Sequence, residues 1–175
     1  MKKPPHRIRC LPPKNKLTNQ IITMRRTLLT LITATCISTS LLADDVKEMT
    51  LHPDAANPLS YDAASKSFTV KVGQKVKLTM ENKSVIPQPH NLLVIKPGTL
   101  FKVGALANAM LTDPKAMEKD YIPESPDILW HTKLIPVGQS ATLDFTAPAE
   151  PGDYPYICTF PGHWMLMQGV MKVEK

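Results

Sequence analysis

No arginine follows Arg26 in this chain, and no acidic residue precedes Asp44. The formal charge of +6 therefore belongs to the first 43 residues. From Asp44 onward 13 lysines face 15 Asp plus Glu, a net of about −2. A basic balance confined to one end argues against a nucleic-acid surface on the remainder. The chain also lacks an internal repeat, a Gly-rich phosphate loop and a nucleophile elbow, which removes the common nucleotide-binding and hydrolase classes. Cysteine is nearly missing as well. Of Cys10, Cys36 and Cys158, only the last stands outside the basic end.

That end reads as an export leader. Met24-Arg25-Arg26 supplies a positive start, residues 27–42 form an uncharged Leu/Ile/Thr-rich stretch, and Ala43 precedes the acidic Asp44-Asp45. At 16 residues the stretch falls short of the ~20 that a spanning helix needs, so cleavage is expected rather than anchoring, with no stable membrane span afterwards. Residues 1–23 are either an unusually long n-region or the product of an upstream start codon, the second reading being preferred, with Met24 as the true start. The arginine pair is weak grounds for a twin-arginine signal. Cys36 lacks the leucine and small residue that a lipoprotein site requires. The expected division is thus a leader over 1–43, with the signal peptide at 24–43, and one domain over 44–175, in the periplasm.

In an oxidising compartment Cys158 then has no internal partner. It must be buried and inert, paired between molecules, or bound to metal.

The rest of the chain is written in short apolar segments. Residues 67–72 and 75–80 alternate apolar and polar, separated by Gly73-Gln74, the period of half-buried strands. Residues 91–95 run apolar throughout, as a central strand does, and stop at Pro97-Gly98. Residues 140–146 alternate, residues 152–158 and 169–173 close the series, and residues 46–51 are a weaker first strand. The expected fold class is all-β, a Greek-key β-sandwich or barrel. One stretch departs from this. Residues 100–121 place Ala105, Leu106, Ala109, Met110, Ala116 and Met117 at roughly helical spacing, which predicts a helical insertion of one or two helices, the second starting at Asp113-Pro114.

Between Cys158 and Gly169 the sequence reads CTFPGHWMLMQG. A thiol, the imidazole of His163 and the thioethers of Met165 and Met167 stand within ten residues. Thiolate, imidazole and thioether are ligands of a soft transition metal, and copper uses all three in His₂Cys sites with a weak axial Met. A second histidine is needed from His52, His90 and His131. His90 is the choice, because Pro89-His90-Asn91 opens a central apolar strand. Asn91 can hydrogen-bond across to the ligand loop, and backbone N–H groups near Phe160 can donate to the sulfur. Phe160 and Trp164 can also be plain core.

Pro89-His90-Asn91 followed far downstream by Cys-Thr-Phe-Pro-Gly-His-x₃-Met resembles the type-1 copper signature of the cupredoxins, closest to azurin and the auracyanins, over about residues 60–175. The resemblance implies a cupredoxin-like Greek-key β-sandwich with one copper at one end. By that likeness His90, Cys158 and His163 are equatorial ligands, Met167 rather than Met165 is the axial one, and the Pro89 carbonyl is a weak contact. It further implies shuttling of single electrons between redox proteins, such as c-type cytochromes or a reductase or dehydrogenase, rather than enzyme catalysis. The chain departs from azurin in lacking an N-terminal cysteine pair and in carrying bulky Trp164, Met165 and Leu166, which are expected to form an apolar partner patch. A copper enzyme would need more histidines than His52 and His131, and no His-x-His occurs. Periplasmic copper storage or delivery is the alternative function.

Overall fold

The computed structural model describes residues 45–175; the expected signal segment, Cys10 and Cys36 lie outside them. Alternation in sequence becomes alternation in burial. In β2 (Ser67–Lys71) Phe68 and Val70 are buried between exposed neighbours, and in β3 (Lys75–Glu81) Val76, Leu78 and Met80 are buried while Lys75 and Lys77 face water. With β1 (Lys47–Leu51) and β6 (Ser140–Thr146), β3 forms a three-stranded sheet in the order β1-β3-β6. β2 belongs to the facing sheet, which adds β4 (Leu93–Ile95), β5 (Ile128–His131), β7 (Gly152–Ile157) and β8 (Gln168–Glu174) in the order β2-β8-β7-β4-β5. β1 runs parallel to β3 and β2 parallel to β8, while the remaining pairs are antiparallel. Two sheets with such crossed connections make the expected β-sandwich. Its core holds Leu78 and Met80 from one sheet with Val94, Tyr156 and Met171 from the other.

β4 is apolar on both faces for a visible reason. Val94 points into the sandwich core, whereas Leu93 and Ile95 join Ile157, Val103, Ala107 and Trp164 in a second cluster on the other side of the sheet. Val103 and Ala107 come from α1 (Leu100–Ala109), the helical insertion, which lies over the five-stranded sheet. The second helix expected from Asp113-Pro114 does not form. After a 3₁₀ turn at Met110–Thr112 the chain continues in turns. The Asp113 carboxylate accepts the Lys115 amide at 2.8 Å, the geometry of a helix cap. The backbone bonds that follow mix turns of different size (Ala116 N–H to Asp113, Lys119 N–H to Lys115, Tyr121 N–H to Ala116), and no helix propagates. Asp120 and Tyr121, both at φ 53°, then reverse the chain. β5 is a strand that the sequence does not announce. It sits at the sheet edge with Ile128, Leu129 and Trp130 all half-buried, so its four residues show no alternation.

Register explains where the functional end lies. Leu93 pairs with Ile157, and Ile157 pairs with Gln168. The start of β4, the end of β7 and the start of β8 therefore meet at one end of the sheet. His90 precedes that start of β4, Cys158 follows Ile157 and Met167 precedes Gln168. Pairing alone brings three of the four candidate ligands to the same end.

Candidate metal centre

Each side chain at this end is held by backbone before it is held by anything else. His90 forms a two-way bridge with Ile135, its N–H donating at 3.2 Å and its carbonyl accepting at 2.6 Å. The Cys158 N–H donates to the Met167 carbonyl at 3.1 Å, and the Met167 N–H donates to the His163 carbonyl at 2.8 Å. The His163 N–H in turn reaches the Phe160 carbonyl at 3.0 Å. Gly162, at φ 82°, supplies the left-handed turn between Pro161 and His163. The loop from Cys158 to Met167 is thus a chain of short backbone bonds that leaves the side chains little freedom.

Within this frame the donors converge. His163 Nδ1 lies 3.2 Å from His90 Nδ1 and 3.5 Å from Cys158 Sγ, and His90 Nδ1 lies 3.8 Å from Cys158 Sγ. These three donor atoms all fall within 4.8 Å of one another. His90, Cys158 and Met167 are fully buried, and His163 is 1% exposed. The rings of His90 and His163 stand 4.9 Å apart, and Phe160 sets its edge against His163 at 5.0 Å. His52 and His131 are not part of the cluster: His52 stands 3.7 Å from Glu81, and His131 is exposed at the end of β5. Pro89 is half-buried immediately before His90.

Asn91 ties the two halves of the site. Its side-chain carbonyl accepts the Thr159 N–H at 2.7 Å, and its amide donates to Thr159 Oγ1 at 2.9 Å and to the Asp120 carbonyl at 2.8 Å. Thr159 Oγ1 passes its own proton to the Tyr121 carbonyl at 2.7 Å. One buried amide therefore fastens the residue after His90 to the residue after Cys158, and both to the left-handed pair that ends the insertion. Backbone N–H groups of Asn91 and Phe160 also donate to the Cys158 sulfur.

Burial sets the protonation of the metal-free site. It pushes the Cys158 thiol up to about 12, with the two backbone donors pulling the other way. It also lowers His90 to about 4, helped by the neighbouring His163, and lowers His163 to about 4. The unfolded chain protonates these imidazoles near 6.5, so it binds more protons than the folded chain between that pH and about 4. The metal-free protein is accordingly expected to be most stable between about pH 6.5 and the thiol's ordinary value near 9, and to lose stability as pH falls towards 4. The loss should amount to a few kcal/mol for the two rings together once solvent screening is allowed for. Chemical denaturation of the metal-free protein at stepped pH checks this.

The donor set fits a soft, thiophilic metal. Two neutral imidazole nitrogens facing each other with a sulfur beside them, closed off from water and with a buried thioether on the same loop, suit copper better than a hard cation. A family model for copper-binding proteins of the plastocyanin/azurin family matches residues 47–174. This chain belongs to that family. Copper, one per chain, is the cofactor that its His-Cys-His-Met site takes. Auracyanin-A of Chloroflexus aurantiacus is 37% identical over 108 residues, which cover 61% of this chain and 64% of that relative. The match therefore spans a little under two thirds of that relative's length. Azurin of Pseudomonas aeruginosa is 31% identical over 123 residues, covering 67% of this chain and 75% of its own. The solved auracyanin A structure superposes with a TM-score of 0.63 at 32% identity, over 74% of this chain and 99% of that one. Fold and family thus agree with the cupredoxin resemblance.

Within this cupredoxin the expected apolar patch needs correction at Trp164. The indole is only 8% exposed, packed over Gly104 of α1, with its N–H donating to Asn108 Oδ1 at 2.9 Å. The helical insertion covers it, and the sequence of the loop alone contains no sign of that. Met165 and Leu166, by contrast, are 64% and 53% exposed. A Cβ at Gly104 would lie 2.5 Å from Trp164 Cε3, so Gly104→Ala should destabilise the protein by about 1–3 kcal/mol. This outweighs the ~1 kcal/mol that alanine gains over glycine in a helix. A denaturant titration of the variant reads the sign.

Two residues of the site have no counterpart in the sequence reading. Gln88 presents its side-chain carbonyl to His163 Nε2 at 3.2 Å, and buried Asn82 donates to the carbonyls of Gln88 and Ile135 at 2.9 and 2.8 Å. The one available signal is positional: Gln88 stands between Pro87 and Pro89, which restrict it to extended backbone.

Proposed function

We propose that this chain is an exported blue type-1 copper protein that carries single electrons between redox proteins. The observation that bears most weight is the buried convergence of one thiol and two imidazoles, beside a buried Met167 whose backbone carbonyl accepts the Cys158 N–H. Bound there, copper supplies a one-electron couple. His90 and His163 through Nδ1 and Cys158 through Sγ would hold the copper in this reading, with Met167 and the Pro89 carbonyl as weaker contacts. The chain's task is to hold these donors still, so that both oxidation states meet one compromise geometry. The Asn91 knot and the backbone bonds of the ligand loop do this, while N–H groups aimed at the sulfur tune the potential. The solved auracyanin A is described as a "blue" copper protein, which supports the same colour chemistry here.

Export rests on the leader pattern in the sequence. No helix among the described residues is long and apolar enough to cross a membrane. Met165 and Leu166, with Phe101 at 78% exposure on α1 and edge-on to Trp164 at 6.3 Å, offer an apolar surface beside the site. A c-type cytochrome, a reductase or a dehydrogenase is the kind of partner such a surface suits. Copper delivery would favour exposed, exchangeable ligands, whereas these four are closed off from water.

Repeated chemical reduction and reoxidation of the copper-loaded chain in the presence of a Cu(I) chelator tests the reading. A carrier keeps its copper and exchanges electrons rapidly with a c-type cytochrome. Transfer of copper to the chelator on each reduction would sink the carrier in favour of delivery.

A further inference from the structure

The imidazole edge of His163 that points away from the other ligands is not bare. Its Nε2 faces Gln88 Oε1 at 3.2 Å, and the ring is 1% exposed while Gln88 is half-buried above it. Which atom of this pair carries the proton follows from the other side of the ring. His163 Nδ1 stands 3.2 Å from His90 Nδ1 and 3.5 Å from the Cys158 sulfur. A proton on Nδ1 would fill the space the metal needs, so the proton belongs on Nε2, and Gln88 must offer its carbonyl rather than its amide.

Gln88 is not a loose surface side chain that happens to reach. Pro87 and Pro89 bracket it, its N–H donates to the Ile86 carbonyl at 2.8 Å, and its own carbonyl accepts Asn82 Nδ2 at 2.9 Å. The same Asn82 amide donates to the Ile135 carbonyl at 2.8 Å, and Ile135 is the residue that bridges His90. Asn82 is fully buried, and its side-chain carbonyl accepts the Ser84 N–H at 3.2 Å. One interior side chain thus fixes the backbone of Gln88 and that of ligand His90 in a common frame. The spacing between the capping amide and the site is set by the fold rather than by rotamer chance.

We propose that Gln88 is a positioning residue for His163: its side-chain carbonyl accepts the Nε2 proton, fixes the ring with the Nδ1 lone pair turned to the metal, and closes the imidazole edge to water. This rests on His163 binding copper through Nδ1. An acceptor on Nε2–H makes the ring a stronger donor, which favours the oxidised ion and lowers the reduction potential. The route from the site through His163 to the surface then ends at an amide and not at a bare ring.

The test uses the chain loaded with Cu(I), which is diamagnetic, and nitrogen-15 NMR of the histidine rings. Wild type should show a protonated His163 Nε2 whose proton exchanges slowly with water. In Gln88→Leu that proton should exchange roughly tenfold faster, the worth of one hydrogen bond, and the reduction potential should rise. Gln88→Glu, which restores an acceptor, should bring the slow exchange back and place the potential below wild type. Gln88→Met, of similar length, should behave as Gln88→Leu and serves where the branched side chain loads copper poorly. Unchanged exchange and potential in Gln88→Leu or Gln88→Met would overturn the role of Gln88 while leaving the copper site intact. A wild-type His163 with no proton on Nε2 would do the same. A chain that takes up no copper at all overturns the ligand assignment and this inference with it.

Discussion

Replacing Cys158 with serine is expected to leave a folded but colourless protein. The blue colour of a type-1 site comes from charge transfer between a thiolate and Cu(II), and no other thiol stands in the chain from Asp44 to Lys175. A hydroxyl is harder than sulfur and does not ionise at neutral pH, so Cys158→Ser removes both the strongest ligand and the source of the band. Copper affinity should fall by well over the 10- to 100-fold typical of lost supporting residues. The fold should survive because the change removes little volume. The backbone N–H groups of Asn91 and Phe160 that donate to the sulfur retain an acceptor there, so the cost to the metal-free protein should be about 1–3 kcal/mol at most. Visible absorption, copper content and a denaturation curve measured on one preparation separate these outcomes.

Asn91→Leu is expected to damage stability most without touching a ligand. The substitution keeps the approximate shape of the side chain and removes every hydrogen bond it makes. The buried Thr159 N–H loses its acceptor at 2.7 Å, while Thr159 Oγ1 and the Asp120 carbonyl lose their donor at 2.9 and 2.8 Å. Asn91 is fully buried and Thr159 is 2% exposed, so water cannot replace these partners without opening the site. At about 1–3 kcal/mol for each stranded group, partly relaxed, the loss should be roughly 3–5 kcal/mol. The left-handed Asp120 and Tyr121 are held by the same knot and should loosen with it. Because Thr159 adjoins Cys158, a broadened copper spectrum is expected alongside the drop in denaturant midpoint. Asn91→Asp, which keeps the acceptor for Thr159 N–H, should recover part of the loss.

Much of the scaffold could be read before any coordinates, for physical reasons that differ by element. β2 and β3 bury one face and wet the other, so their period is written in the residues themselves. β4 reads as a central strand because it is buried on both sides, by the sandwich core and by α1. β5 was illegible because an edge strand with every residue half-buried has no period to show. The end of the insertion departs from its spacing for a different reason. Helical spacing over residues 113–121 is overruled by two left-handed residues that answer to Asn91, some 30 positions away in sequence.

The site divides in the same way. Cys158, His163 and Met167 stand within ten residues, so their chemistry is local, and His90 follows from the strand that it opens. What surrounds them is not local. Trp164 is turned inward by a glycine and an asparagine on α1, some 60 residues earlier. Gln88 reaches His163 from 75 residues away. Contacts of that kind depend on the finished fold and leave no pattern in either segment alone.

In the proposed site His90, Cys158, His163 and Met167 hold one copper that carries electrons with a thiolate as ligand. The most direct measurement is a titration of the purified, metal-free chain with Cu(II), followed in the visible spectrum and then through one cycle of reduction and reoxidation. An intense blue band should saturate at one copper per chain, bleach with one electron equivalent and return in full on oxidation. A colourless product, or a band that saturates without regard to chain concentration, would contradict it.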